Sequence, residues 1–136
     1  MQAVKKAKIV NLTPHDLNMV DTGITYPRTE VEPGRILTIR ASQTSEEVSE
    51  VNGHIVSKST FGKPYFCTVD AKGQDEQPYE STVPQADYYV VSIISLQAIH
   101  ANGGCEQFAT GEFLAPGKLV RDAEGKIVGS TGFSIL

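Results

Sequence analysis

The stretch Lys8-Ile9-Val10-Asn11-Leu12-Thr13-Pro14-His15 constrains this chain most, because an apolar strand runs there straight into a proline. Ile9, Val10 and Leu12 favour extended backbone, whereas Pro14 has no N–H with which to continue a ladder, so the strand must stop or bend at the Thr-Pro-His turn. Two readings of the turn stand side by side. In one it is a corner whose Asn11 and Thr13 side chains tie down backbone groups; in the other His15 does chemistry or binds a ligand.

Beyond the turn, Asp16-Leu17-Asn18-Met19-Val20 alternates polar and apolar residues, the period of a half-buried strand. Val4 to Val20 therefore reads as a hairpin closed by Thr-Pro-His. Asp21-Thr22-Gly23 supplies a further turn, with Gly23 at positive φ, and Ile24 to Tyr26 a short continuation. From Ile36 to Ala41 the alternation puts Leu37, Ile39 and Ala41 on one face and Ile36, Thr38 and Arg40 on the other. Gln43 to Asn52 is polar, and the spacing of Val48 and Val51 fits a short helical turn or a loop equally well. Gly53 opens a strand from His54 to Phe61, which Gly62-Lys63-Pro64 turns back into Tyr65–Val69 as its antiparallel partner.

Asp70 to Ala86 is a long polar connection, expected to be a functional flap or a mobile insertion. Tyr88-Tyr89-Val90-Val91-Ser92 is the most strand-like run, and it passes into a helix from Ile93 to Ala101, with Ile93, Leu96 and Ile99 on one face and Asn102-Gly103-Gly104 as the stop. Phe113-Leu114-Ala115-Pro116-Gly117 reads as a turn into Lys118–Asp122. Ala123-Glu124-Gly125 turns the chain tightly, Lys126–Gly129 returns, and Ser130–Leu136 forms a final strand. The expected class is α+β: a mostly antiparallel β-sheet with one or two short helices, in a single domain spanning residues 1–136.

With 136 residues the chain suits one domain that buries about two-thirds of its unfolded surface. A net charge of −4 argues against a partner that is a nucleic acid polymer, which demands a basic face to release phosphate counterions. No apolar run is long enough to cross a bilayer, and the first residues lead into a strand instead of a signal segment, so the expected location is the cytoplasm. Cys67 and Cys105 form no CxxC pair and suit reduced thiols, with a disulfide open but not implied. His15, His54 and His100 are scattered, so neither a metal nor a cofactor is expected.

Catalytic constellations are absent from the sequence: no Gly-x-Ser-x-Gly, no GxGxxG and no GxxxxGK[ST] occurs, and the paired acids Glu46/Glu47 and Asp75/Glu76 lie in polar segments. An enzyme would have to rest on His15 with Asp16. Binding is the better-supported class. Arg40 and Arg121 each sit on a predicted strand, where a guanidinium is held at fixed geometry for bidentate phosphate contacts, although a solvated outer-face charge is the ordinary role of such an arginine. Ser92 at the strand-to-helix junction, Ser130 and Thr131 would add polar contacts, and the helix N-terminus favours an anion. Tyr88 or Tyr89 would stack on a base or belong to the core.

Four blocks together carry a resemblance: Asn11-Leu12-Thr13-Pro14-His15; Glu32-Pro33-Gly34 before an arginine-bearing strand; Tyr89-Val90-Val91-Ser92 before a helix; and Ala115-Pro116-Gly117-x-Leu119-Val120-Arg121-Asp122-x-x-Gly125. Spread from Ile9 to Gly129, they resemble a family of small phage and prophage proteins, and the chain is similar to the Thoeris anti-defence sponges. That resemblance implies a non-catalytic protein of the host cytoplasm that sequesters a cyclic ADP-ribose-type immune signal without cleaving it. It further implies a homo-oligomer with arginines on the phosphates, Arg121 carrying over most directly and Arg40 less so, and an aromatic on adenine. The chain departs from the pattern at Thr38-Ile39-Arg40 and is longer at Ala71–Gln85 and Asn102–Glu112. The alternative is an oligomeric phage structural or accessory protein with no small-molecule ligand.

Overall fold

Strands dominate this chain, some paired with their neighbours in sequence and others with strands far away. The computed structural model describes residues 7–103 and 112–135. In chain order they form β1 (Ile9–Asn11), β2 (Leu17–Met19), β3 (Ile24–Tyr26), β4 (Glu30–Glu32), β5 (Arg35–Arg40), β6 (Gln43–Val51) and β7 (His54–Phe61). Then follow β8 (Tyr65–Val69), β9 (Gln77–Pro78), β10 (Tyr88–Val90), α1 (Ile93–Asn102), β11 (Glu112–Arg121) and β12 (Ile127–Ser134). They assemble into a six-stranded sheet ordered β1-β10-β11-β12-β2-β3, a four-stranded sheet ordered β4-β5-β8-β9, and the two-stranded pair β6-β7. Most pairings are antiparallel, and α1 is the helix of this mainly β, α+β arrangement.

The expected hairpin across Thr-Pro-His does not form. β1 runs parallel to β10, with Ile9 opposite Tyr88 and Asn11 opposite Val90, while β2 pairs antiparallel with β3. The cause is Asn11. Its buried carboxamide donates to His15 O (2.8 Å) and Tyr26 O (2.9 Å), and its Oδ1 accepts from Thr13 N (2.9 Å) and the Thr13 hydroxyl (2.6 Å). The turn's backbone is thus satisfied by a side chain instead of a ladder, which is the structural corner foreseen for Asn11 and Thr13. Arg28, just past β3, makes a parallel bridge back to Asn11, so the six-stranded sheet curls until its two ends nearly meet.

Three further expectations fail for identifiable reasons. Residues 43–51 form a strand, neither helix nor loop, and pair with β7; β8 in turn pairs with β5, so the hairpin of 54–61 with 65–69 is not made. Asn52 (φ 52°) and Gly53 (φ 81°) supply the two positive-φ residues of a two-residue hairpin turn, which selects the β6–β7 pairing. The three-residue spacing of Val48 and Val51 comes from a bulge: the register slips between Glu47 and Ser49 and leaves Val48 without a cross-strand partner. Finally, Pro116-Gly117 does not turn the chain but continues β11. Pairing with β10 ends at Leu114, so the missing N–H of Pro116 interrupts no ladder on that side.

One hydrophobic cluster draws Val10 from β1, Leu37 and Ile39 from β5, Phe66 from β8, Tyr89 from β10, Leu96 and Ile99 from α1, and Ala115 from β11. β5 is buried on both faces, unlike the one-sided strand that its alternation suggests. The segment after β8 folds back over the side carrying Arg40: Arg40 Nη2 donates to Gly73 O (2.6 Å), Nη1 to Glu76 (3.3 Å), and Tyr65 Oη to Glu76 (2.8 Å). Helix α1 starts at Ser92, whose Oγ accepts from Ser95 N (3.2 Å), and stops at Gly103 in the left-handed region (φ 70°). Ile93, placed on the buried face by its spacing, is exposed instead, and Ser95, Leu96, Ala98 and Ile99 turn inward.

Candidate functional site

The Thr-Pro-His corner, the start of α1 and the β11–β12 hairpin surround a cavity of about 750 Å³ that opens to solvent. Each wall follows from local sequence. Pro14 ends β1 and projects Thr13, Pro14, His15 and Asp16 to one side. Ser92 and Ile93 arrive through the cap that begins α1. Pro116, Gly117 and Leu119 from β11, with Ile127 to Ser130 from β12, form the third wall. Leu17, Ile93, Leu119, Ile127 and Val128 make the lining largely apolar, and several of them remain unusually open, Leu119 at 50% exposure.

Two glycines let the walls approach. A Cβ at Gly129 would stand 2.6 Å from Asn18 O and 2.9 Å from Val20 Cγ1, and one at Gly117 would run into the backbone of Thr131 and Gly132. β12 therefore passes β2 and β11 at distances that only glycine permits.

The sequence-proposed site residues divide sharply. Ser92 lines the cavity, but its hydroxyl is already engaged with Ser95 N and Ser95 Oγ (2.9 Å). Ser130 lines it too; Thr131 does not, although its carbonyl backs Gly117. Arg121 sits at the end of the β11–β12 hairpin opposite the lining residue Ile127 and donates to Gly125 O (2.8 Å). Arg40 lies on the other side of the corner, tied to Gly73 and Glu76, with Gly73 packed between it and Pro14. Tyr89 is withdrawn altogether: its ring is fully buried and stacked on Phe113 (centroids 5.4 Å apart), and its hydroxyl donates to Pro84 O (2.5 Å). No ligand reaches it. The two guanidinium groups and the aromatic expected to converge do not share the cavity within one chain, and no arginine or lysine is among the described residues that line it.

His15 and Asp16 do reach the cavity, yet Asp16 Oδ1 accepts from Arg28 N (2.9 Å) and so braces the backbone beyond β3. Elsewhere, the groups with perturbed titration belong to structure. Burial pushes the Cys67 thiol up to about 12, with the Glu76 charge adding to it. The hydrogen bond to Glu76 pushes Tyr65 to about 12 as well, helped by burial. The Gln74 N–H holds the Asp70 carboxyl below its usual range. Among the described residues no group of three or more His, Cys, Asp or Glu is placed to hold a metal, and Cys105 lies outside those residues.

Sequence reasoning missed the apolar wall of Leu119, Ile127 and Val128, for which the signal was available: alternation in a hairpin already recognised leaves these large side chains on a strand pair with no cover assigned. It also missed Arg35, whose guanidinium donates to Thr68 Oγ1 and O and to Asp75 and so fastens the segment after β8. Comparison with protein-family models, with curated proteins and with solved structures gives no match to this chain.

Proposed function

We propose that the chain is a non-catalytic binding protein that holds a small nucleotide signal of the cyclic ADP-ribose class in the cavity beside the Thr-Pro-His corner. On this reading it is a phage-encoded sponge, which blocks an anti-phage defence by withdrawing the signal in the host cytoplasm. One observation carries the reading. Three of the four sequence blocks behind the resemblance, far apart in the chain, supply residues to this one cavity: Thr13, Pro14 and His15; Ser92; and Pro116, Gly117 and Leu119. Its volume of about 750 Å³ falls among those of small-molecule sites, about 300–1,000 Å³.

The chemistry of the walls suits holding more than cleaving. Leu119, Ile127 and Pro116 offer apolar surface to a base or ribose. Helix α1 begins at the cavity wall with Ser92 and Ile93, and the first N–H groups of an α-helix, left without intrahelical acceptors, favour a negative charge. Arg121 does not line the cavity; it is exposed, pairs across the hairpin with the lining residue Ile127, and must leave Gly125 O to meet a phosphate. Asp16 Oδ1 accepts from Arg28 N, and no hydrogen bond joins Asp16 to His15 among those of the described residues.

Incubation with cyclic ADP-ribose isomers, removal of free ligand and heating tests the proposal: the intact ligand is expected back, and saturating ligand raises the melting temperature. Leu119→Trp fills the cavity from an exposed position and abolishes both effects in a folded protein. Recovery of a hydrolysed product, or no retention of any isomer, defeats the reading. The second reading, an oligomeric phage structural or accessory protein without a ligand, is favoured by a different feature, the solvent-exposed β6–β7 pair.

A further inference from the structure

The β6–β7 pair projects as an arm whose base alone is secured: Gly62 N donates to Ser42 O (2.8 Å), and Asn102 Nδ2 of α1 donates to Gly62 O (3.2 Å) and Phe61 O (3.4 Å). Every residue of β6 is exposed, and so is every residue of β7 except the half-buried Phe61. A lone two-stranded ribbon is marginal in water, and this one presents two long edges.

The edges differ. β6 is protected in the ways that natural edge strands are, by the bulge at Glu47–Ser49 and by three acids, Glu46, Glu47 and Glu50. β7, His54-Ile55-Val56-Ser57-Lys58-Ser59-Thr60-Phe61, has no acid, proline, glycine or bulge, and its one lysine lies opposite Glu46 of its own arm. We infer that the open edge of β7 pairs antiparallel with β7 of a second copy of this chain, about a twofold axis at Ser57, to give a four-stranded sheet.

Register and charge select this occupant. The two-residue Asn52-Gly53 turn makes Val51 and His54 a hydrogen-bonded pair, so the N–H groups of His54, Val56, Lys58 and Thr60 face β6 and those of Ile55, Ser57 and Ser59 face outward. Antiparallel partners must both face the new edge. With Ser57 opposite Ser57 of the second copy, Ile55 meets Ser59 and Lys58 meets Val56, so no like charges oppose and the lysine stem covers a valine. The glutamates then lie on the two outer strands. Pairing through β6 centred on Glu47 or Val48 would instead set Glu47 against itself, or Glu46 against Glu50, and a register centred on Ser45 would span only Gln43 to Glu47 before the bulge. The inference concerns ligand-free protein and stands apart from the cavity reading.

Sedimentation of the full chain at high micromolar concentration is expected to give about twice the 14.7 kDa of one chain, with the amides of Ile55, Ser57 and Ser59 protected from hydrogen exchange. Ser57→Pro removes the central outward N–H and yields monomer, with the melting temperature of the sheets unchanged. Ser45→Pro, the same change on the outer edge of β6, leaves the dimer intact. Should Ser57→Pro unravel the arm, seen as lost protection at Val56 and Lys58, Ser57→Asp sets two carboxylates face to face and weakens association about tenfold or more with the arm retained. A monomeric wild type, a dimer indifferent to Ser57→Asp, or a dimer destroyed by Ser45→Pro overturns the inference.

Discussion

The β5–β8 pair and the β6–β7 arm are both antiparallel ribbons, yet one is buried throughout its centre and the other is open to water. Leu37 and Ile39 share the core cluster with Leu96 and Ile99 of α1, Ile36 is buried as well, and even Thr38 is covered. Val51 and Ile55 in the arm are 55% and 63% exposed. Secondary structure alone therefore says little about where stability resides. In the first ribbon the ladder follows from burial, whereas in the second it follows from one turn and backbone pairing.

Mutations that remove one support at a time break this contrast most directly. Leu37→Ala, at a side chain with no exposure, should cost about 2–5 kcal/mol in chemical denaturation; a cost near that of a surface change would mean the core is loosely packed. Asn11→Ala strips partners from Thr13 N, His15 O and Tyr26 O, and should cost about 1–3 kcal/mol while loosening the cavity corner. Gly53→Ala forces a side chain to φ 81°, at a cost of about 1–2 kcal/mol. That loss should appear as faster amide exchange in the arm and leave the melting temperature of the sheets almost unmoved. An equal loss across the whole protein would show that arm and body unfold as one unit.

Alkaline pH probes the fastening of the segment after β8. Tyr65 and Cys67 are both raised to about 12, from ordinary values of 10.0 and 9.0, so folding favours their neutral forms. Their contribution is complete below pH 9 and disappears as pH climbs toward 12. Tyr65→Phe should remove the tyrosine share of that slope, and the arm's amides should not respond. The smallest effect belongs to Ile55→Thr, which in monomeric protein should change stability by less than about 0.5 kcal/mol, because the side chain packs on little.

Local chemistry was legible in the sequence wherever a residue acts on its own neighbours. Gly23, Gly103 and Gly125 adopt positive φ at the turns and helix stop they were expected to make, and Ser92 caps α1. Partner choice was not legible in the same way, because it depends on groups distant in sequence. Nothing near Ile9 announces Tyr88, and the Asn11 carboxamide that diverts β2 from β1 reaches Tyr26, fifteen residues on. The Asn52-Gly53 turn was readable, and passing over it misassigned three strands at once. For the cavity, the corner and Ser92 were visible as motifs; the placement of Arg40 behind Pro14 was not, because alternation gives the side of a strand and not what covers it.

The parallel pairing of β1 with β10 also has a consequence for synthesis. Lys8 N is joined to the Asp87 carboxylate across 79 positions, and Leu12 N to Val90 O. At about 5–20 residues per second, a ribosome needs on the order of 4–16 s after translating Ile9 before Tyr88 is translated. Throughout that interval Val10 and Leu12 have no strand to join, so a chaperone that shields the emerging β1 segment would matter more for the yield of this protein than one acting after release.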